Sequence, residues 1–196
     1  MKKFDDKGYT VNVPDDEMDP QLPRWHLPMH PVDKHNKICM CHIARAGVNG
    51  ICLNDFLLGG PNLINPLVDI LTRFREHPIA FMTDISGFFH QICIDERDRQ
   101  VFRYLWFKDQ SCREIFIKQF LSHIFGAGSS TVVTAFVLRY HADKIRPFFP
   151  DDVWRLIRKN IYVDDCAGGG RNIQQAKTLK QNLKEAMRQG GFSLGK

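Results

Sequence analysis

Apolar residues recur along the chain in two spacings, one typical of helices and the other of strands. A helix is predicted after Asn65-Pro66, because asparagine caps helices and proline fits the first helical position. Its apolar face has helical spacing and comprises Leu67, Ile70, Leu71 and Phe74. A longer helix is predicted from an Asn172 cap to the Gly190-Gly191 pair. Its buried stripe comprises Ala176, Leu179, Leu183, Ala186 and Met187.

Two shorter helices and several strands complete the pattern. The helices are predicted at 130–144 and 151–159, each with a serine or an aspartate near its start as a cap. The predicted strands are 38–43, 79–85, 101–107 and 114–120, of which the last two form a hairpin. Helices packed on an antiparallel sheet define an α+β domain, which is the fold class that this order of elements predicts.

Composition places the chain among ordinary globular proteins. It has 196 residues, enough for one core and at most two small lobes, with 43% hydrophobic and 25% charged residues. The net charge of +5 is compatible with nucleic acid without being diagnostic of it. The N-terminus lacks the apolar core of a signal peptide, and no apolar run approaches the length of a membrane helix. We therefore expect an intracellular protein, cytoplasmic or nuclear, that is not secreted and has no membrane partner.

The six cysteines show no paired spacing, which predicts reduced thiols. Cys39, Cys41 and His42, with His35 upstream, invite a zinc-binding interpretation. A second Cys/His pair at ligand spacing is absent from the sequence, so buried strand positions are favoured for both cysteines. A zinc-binding module remains a weaker hypothesis that metal analysis would settle.

Two adjacent carboxylates, Asp164 and Asp165, follow the apolar stretch 161–163. Neighbouring side chains on a strand point to opposite faces, so a tight turn is needed to bring the two together. Carboxylates held close repel one another unless a cation neutralises them, and Mg²⁺ prefers such oxygen ligands. The alternative is a solvated acidic turn. A second apolar strand ends at Asp84, 80 residues before Asp164, and favours the metal interpretation.

Five stretches of the sequence resemble the motifs of one known family. The segments 81–92, with Asp84 and Phe-His-Gln-Ile, and 162–165, Tyr-Val-Asp-Asp, resemble the first and third palm motifs of reverse transcriptases. The stretches 25–32, 53–63 and 125–130 are similar, in the same order, to those of Pao/BEL-type long-terminal-repeat retrotransposons. The resemblance extends from about Gly8 to Lys196.

This resemblance implies a right-hand polymerase palm, an antiparallel sheet with packed helices, plus partial fingers and no thumb. Residues 1–78 would be the fingers-like part and residues 79–196 the palm-like catalytic part, with a fingers insertion around 100–120, in one folding unit. The implied activity is that of an RNA-directed DNA polymerase, which transfers dNTPs onto a primer 3′-hydroxyl with two Mg²⁺ ions, or Mn²⁺ in their place. The implied partners are an RNA or DNA template with its primer, dNTPs, and the thumb and ribonuclease H regions of a parent polyprotein.

The resemblance also implies a role for each matching residue. The catalytic carboxylates are Asp84, Asp164 and Asp165, and the carbonyl of Ile85 joins them as a metal ligand. The nucleotide-binding residues are Phe89, Phe125, Gly126 and Lys196, and Tyr162 touches the primer. Phe89 would reject a ribose 2′-hydroxyl by filling the space beneath the sugar. The alternatives are a core phenylalanine at position 89 and a helix cap at Asp84.

Some positions depart from the family pattern. On the fingers strand, a triphosphate-binding arginine becomes Cys39 and a structural aspartate becomes Ile43. The run Gly168-Gly169-Gly170 is expected to loosen the return strand of the catalytic hairpin. These departures leave open a second hypothesis, a catalytically impaired retrotransposon remnant that acts at most as a nucleic-acid-binding or protein-binding module.

Overall fold

A computed structural model of the chain describes residues 2–14, 21, 23–34, 37–47, 49–108 and 114–195. The chain divides into two compact units that alternate along the sequence. The first comprises Met1–Gly59 and Ile92–Ser130, and the second comprises Gly60–Gln91 and Thr131–Lys196. Whether these units correspond to fingers and palm stays a prediction. In the described ranges no helix is long and apolar enough to cross a membrane.

The described part of the first unit contains a short helix, two antiparallel sheets and two 3-10 helices. Its elements are α1 (Lys2–Asp6), β1 (Thr10–Val13), β2 (Met29–Lys34), β3 (Lys37–His42), β5 (Arg103–Phe107), β6 (Ile115–Phe120) and the 3-10 helices Leu53–Asp55 and Glu96–Val101. One sheet has the strand order β1-β6-β5, and the other is the β2-β3 pair. Its buried core includes Leu27, Phe102, Tyr104, Phe120 and Ile124.

The predicted hairpin in this unit is confirmed, with Arg103 opposite Gln119 in the β5–β6 ladder. β5 begins two residues later than predicted, because the chain first forms the 3-10 helix Glu96–Val101. Asp95 caps that helix, since its carboxylate accepts a hydrogen bond from the Arg97 backbone N–H at 3.1 Å. The predicted turn lies largely outside the described residues.

The second unit packs helices on the antiparallel sheet β4-β8-β7. Its elements are α2 (Leu67–Phe74), β4 (Ile79–Asp84), the 3-10 helix Phe88–Gln91, α3 (Ser130–Ile145), the 3-10 helix Arg146–Phe148, α4 (Asp151–Lys159), β7 (Ile161–Tyr162), β8 (Asp165–Gly170) and α5 (Ile173–Gln189). α5 is the helix that the sequence predicts best. The Asn172 side chain caps it by accepting the Gln175 N–H at 2.9 Å, and all five residues of the predicted stripe are buried. The predicted α+β fold class is confirmed.

Three elements of this unit, α2, β4 and α4, differ from the prediction. α2 has no side-chain cap, and Pro66 precedes it. Asn65 instead donates its side-chain N–H to the Ile161 carbonyl at 3.0 Å, so the predicted cap is wrong. Only Ile70 of the predicted apolar face is buried. β4 has exposed residues at alternate positions, while Ile79 and Phe81 are partly buried and Thr83 is buried, so only one of its faces is covered. α4 also begins after a proline and not after an aspartate cap.

Candidate active site

The two adjacent aspartates lie on a tight hairpin of the second unit. β7 and β8 pair antiparallel, with Tyr162 opposite Asp165, and Val163 and Asp164 form the turn between them. Val163 has a φ of 56°, in the left-handed region that β-branched residues rarely adopt. A residue held there costs on the order of 1–3 kcal/mol and persists only where surrounding structure fixes it. The turn takes Asp164 out of the strand alternation that would otherwise point it away from Asp165.

β4 brings the third carboxylate to the same end of the sheet. Asp84 is the last residue of β4 and is the register partner of Asp165. Directly opposite residues of an antiparallel pair have their side chains on the same face, with Cα atoms about 4.5–5.5 Å apart. The next residue, Ile85, donates its backbone N–H to the Asp164 carbonyl at 2.8 Å. Strand pairing therefore places Asp84 and Asp165 side by side, with Asp164 in the adjoining turn.

The electrostatics of this cluster are those of close like charges. Partial desolvation raises the pKa of Asp164, and the negative charges of Asp165 and Asp84 raise it further. All three aspartates are exposed, and within the described chain none of the three carboxylates forms an ion pair. A concentration of carboxylate charge that no described lysine or arginine neutralises is suited to a hard cation such as Mg²⁺.

The oxygen atoms of the cluster are not gathered into a ready-made metal cage. Among the described residues, no group of three or more His, Cys, Asp or Glu side chains is arranged so that it could hold a metal ion. Carboxylates of like charge repel one another, which favours side-chain rotamers that keep their oxygens apart. The backbone register nonetheless places Asp84 directly opposite Asp165 at this end of the sheet, and rotation about the side-chain bonds changes the distance between their oxygens.

A short segment that the sequence did not single out runs beside the end of β4. Ile85 and Leu194 form an antiparallel bridge. Ser193 accepts a hydrogen bond at its carbonyl from the Ser86 N–H at 2.8 Å, and the Gly195 N–H donates to the Asp84 carbonyl at 2.7 Å. The segment Ser193–Gly195 has no periodic pattern, and its contacts are more than 100 residues away in sequence. In the sequence, only the implied nucleotide-binding role of Lys196 pointed to this end of the chain. Lys196 itself lies outside the described residues.

The predicted sugar-contacting residue lies on the 3-10 helix Phe88–Gln91, just after Asp84. Phe88 is buried, with 5% of its surface exposed, whereas Phe89 is only half-buried. The two rings pack at 5.2 Å between centroids with an interplanar angle of 52°. Of the two phenylalanines, Phe88 is the core residue, and Phe89 keeps ring surface accessible. The role of Phe89 as a steric gate stays a prediction.

Tyr162, the predicted primer contact, is 39% exposed.

Phe125 and Gly126 lie in the first unit, in the loop that follows β6. The Phe125 side chain is 78% exposed. Gly126 has a φ of 91°, which explains the glycine by backbone conformation. Space is not the reason, because an added Cβ would meet only the His42 carbonyl, at an ordinary 3.7 Å.

Asn54 links two of the sequence motifs within the first unit. Its side chain donates to the Gly126 carbonyl at 3.0 Å and accepts the Gly128 N–H at 2.9 Å. This double contact joins the stretch 53–63 to the stretch 125–130. Neither hydrogen bond could be read from the sequence, because the partners are more than 70 residues apart.

The proposed zinc cluster falls on β3, and its described part has a different environment. The His42 ring packs against Tyr104 at 4.8 Å and against Phe120 at 4.7 Å between centroids, so it belongs to an aromatic cluster of the core. Cys41 is partly buried and has a free thiol. Cys39 pairs with Val32 in the strand ladder, and its side chain, like His35, lies outside the described residues.

Comparison with known proteins identifies the class of this fold. No protein-family model and no curated protein matches the chain. Solved structures match over nearly the whole chain, and they define the fold as reverse-transcriptase-like, with TM-scores of 0.67 to 0.70.

The similar structures include protease-reverse transcriptases of foamy viruses. A foamy viral protein solved with double-stranded DNA matches at a TM-score of 0.67 and 16% identity, over 98% of this chain and 28% of that chain. The native prototype foamy virus protein matches at 0.69 and 15% identity, over 98% of this chain and 22% of that one. A foamy viral protein with an RNA/DNA hybrid matches at 0.70 and 14% identity, over 99% and 22% respectively. This chain therefore spans about a quarter of those proteins, and at this identity the likeness is one of fold.

Proposed function

We propose that this chain is the palm and partial fingers of an RNA-directed DNA polymerase, a reverse transcriptase of a Pao/BEL-type retrotransposon. The observation that carries the proposal is the pairing of Asp84 with Asp165 on adjacent strands, with Asp164 in the turn beside them. The reverse-transcriptase-like fold supports the reaction class, and the motif order supports the retrotransposon type. The foamy virus proteins were solved with double-stranded DNA and an RNA/DNA hybrid, which supports a template–primer duplex as partner.

The reaction joins a dNTP to a primer. The primer 3′-oxygen bonds to the α-phosphorus of the dNTP, the bond from that phosphorus to the pyrophosphate breaks, and pyrophosphate leaves. Asp84, Asp164 and Asp165, with the Ile85 carbonyl, would hold two Mg²⁺ or Mn²⁺ ions. When bound, such a pair of ions activates the hydroxyl and neutralises phosphate charge.

The remaining residues of the proposed site bind and orient the substrates. Tyr162, exposed beside Asp165 on the hairpin, would contact the primer end. The Phe89 ring would lie beneath the deoxyribose and exclude a 2′-hydroxyl. Phe125, Gly126 and Lys196 would contact the nucleotide, an assignment that rests on the motif resemblance. The thumb and ribonuclease H regions of a longer polyprotein would complete the grip on the duplex.

Primer extension on a poly(rA) template with an oligo(dT) primer tests this function. The chain would be assayed alone and joined to a downstream thumb, with Mg²⁺ and with Mn²⁺. Template-dependent dTTP incorporation is expected from the thumb-bearing protein and is lost in Asp164→Asn. The matched control is Asp152→Asn, because Asp152 is an exposed aspartate on α4. If the folded thumb-bearing protein incorporates nothing with either metal, the proposal fails.

A second function is favoured by the altered fingers strand. With Cys39 and Ile43 in place of an arginine and an aspartate, the chain would be a catalytically impaired remnant that binds nucleic acid or protein. Binding through phosphate contacts alone is weak, independent of sequence and steeply dependent on salt. Retained duplex binding without incorporation in the assay above, together with a steep salt dependence, would select this alternative.

A further inference from the structure

The segment Ser193–Gly195 is attached to β4 by several hydrogen bonds at the point where the carboxylates meet. Besides the two backbone bonds already described, the Thr83 hydroxyl donates to the Gly195 carbonyl at 3.3 Å. The Ser193 N–H donates to the Gln91 side-chain oxygen at 3.3 Å. Thr83 is buried, so its hydroxyl is held in place. These bonds fix the backbone of Gly195 relative to Asp84.

The side chain of Asp84 occupies the space that any side chain at position 195 would need. A Cβ built on Gly195 would overlap Oδ1 of Asp84 and would lie 2.6 Å from its Cγ and 2.8 Å from its Oδ2. Non-bonded atoms do not approach one another this closely. The carboxylate of Asp84 in its present rotamer therefore requires a residue without a Cβ at position 195.

Backbone conformation does not explain this glycine. Among the described residues, the glycines with positive φ are at positions 8, 50, 60, 87, 126 and 191, and Gly195 is not one of them. Alanine could therefore adopt the backbone conformation of residue 195 without the left-handed penalty. An added methyl group would be relieved mainly by rotation of the Asp84 carboxylate, since that carboxylate is the far end of an exposed side chain. Such a rotation costs little stability, but it denies the Asp84 carboxylate its present position and so restricts the rotamers through which it can reach a cation shared with Asp165.

We propose that Gly195 is a positioning residue that leaves space for the Asp84 carboxylate, and thereby supports the affinity of the carboxylate cluster for divalent cations. The inference rests on the proposed function, because it assigns Gly195 a role in the same metal site. It adds a residue whose contribution is the absence of a side chain. Groups that orient metal ligands without touching the metal typically change metal affinity by about 10- to 100-fold when they are replaced.

The test compares Gly195→Ala with the unmodified chain and with Gly59→Ala. Gly59 is a matched control, since a Cβ there would meet nothing within 4 Å and its φ is not in the left-handed region. The readout is the dissociation constant for Mn²⁺, measured by calorimetric titration without nucleic acid. Gly195→Ala is expected to weaken Mn²⁺ binding by about 10- to 100-fold. Gly59→Ala is expected to leave it unchanged. Unchanged or tighter Mn²⁺ binding in folded Gly195→Ala overturns the proposal.

A double-mutant cycle on thermal stability tests the contact itself. Gly195→Ala is expected to lower Tm slightly in the unmodified chain. In an Asp84→Ala background, which removes the carboxylate, the same substitution is expected to have a smaller effect on Tm, because contacting residues couple in such cycles. If Gly195→Ala lowers Tm equally in both backgrounds, or prevents folding in both, its cost lies elsewhere and the proposal is wrong.

The two measurements separate failure of this inference from failure of the proposed function. If the unmodified chain binds no Mn²⁺, the metal-dependent function is contradicted, whereas the Tm cycle still decides whether Gly195 positions Asp84. If the unmodified chain binds Mn²⁺ and Gly195→Ala binds it equally well, the function stands and the inference fails.

Discussion

The β4–β8 ladder and the β2–β3 ladder each contain six residue pairs but differ in what supports them. β8 is the middle strand of its sheet and has four buried positions. Among the described strands, β2 and β3 pair only with each other, so neither is the middle strand of a sheet, although His42 of β3 packs against Tyr104 and Phe120 of the core. The first ladder carries Asp84 and Asp165, and the second carries Cys39. Asp84 and Asp165 therefore belong to the ladder that includes a middle strand, whereas Cys39 belongs to a two-stranded ladder.

The glycines of β8 show how closely the first ladder is packed. A Cβ on Gly168 would lie 2.5 Å from the Phe81 ring, and one on Gly170 would lie 2.7 Å from the Ala176 backbone nitrogen of α5. This close packing explains why glycines stand here, and whether the run loosens the return strand stays a prediction. Small residues here allow a ring and a helix to approach the strand that carries Asp165.

The largest effect is expected from the charged end of the β4–β8 ladder. Asp84→Asn should lower the efficiency of dTTP incorporation by about 100-fold or more, because metal-held charge contributes several kcal/mol to the transition state. Primer-extension kinetics of the thumb-bearing protein measure this. A loss of less than about tenfold in a folded variant would show that Asp84 is not a principal metal ligand.

The packing of the same ladder supplies the next prediction. Gly170→Ala should lower the free energy of unfolding by about 1–3 kcal/mol, the usual cost of overpacking, since the helix backbone cannot yield to the added methyl group. Urea unfolding measures the loss, with Gly59→Ala as the control. Equal stability of the two variants would mean that α5 shifts freely over β8.

The second ladder is tested by restoring the missing charge. Cys39→Arg in the thumb-bearing protein should raise nucleotide efficiency by about tenfold, since a charge-assisted hydrogen bond to phosphate contributes about 1.5–3 kcal/mol. The gain should appear in dNTP use and little in template binding. The control is Cys41→Arg on the same strand. An equal effect of both variants would point to nonspecific charge, and no effect of Cys39→Arg would show that this position does not meet the triphosphate.

The smallest effect concerns pH and the turn between the strands. The raised pKa of Asp164 means that the folded chain binds more protons than the unfolded chain between the ordinary carboxyl pKa and the raised one. Stability contributed by this group therefore falls as pH rises through that window. Asp164→Asn should remove this fall, so its Tm relative to the unmodified chain should increase with pH in the mildly acidic range. Parallel Tm profiles would contradict a raised pKa of Asp164 in the folded chain.

The sequence predicted features that depend on neighbouring residues better than contacts between residues far apart in the chain. α5 was predicted well, because its stripe and its Asn172 cap are local and strongly periodic. α2 has the same kind of pattern, yet Leu67 is 45% exposed and Leu71 is 43% exposed, since periodicity states which residues share a face and not whether anything covers it. The positions of Asp84, Asp164 and Asp165 at strand ends could be predicted from adjacent apolar runs. The contact of Gly195 with Asp84 could not, because it depends on a rotamer and on a segment without periodicity.

The interleaving of the two units has a consequence for how the chain is made. β1 cannot pair with β6 until Phe120, the partner of Thr10, has been synthesised. β4 likewise cannot pair until β8 has been synthesised. Residues 60–91 therefore leave the ribosome while the first unit is still incomplete, and neither unit can be released as one uninterrupted piece of sequence. Such distant pairing slows folding and leaves apolar strands exposed in the meantime. β4 is therefore expected to stay unpaired during synthesis until β8 has been made.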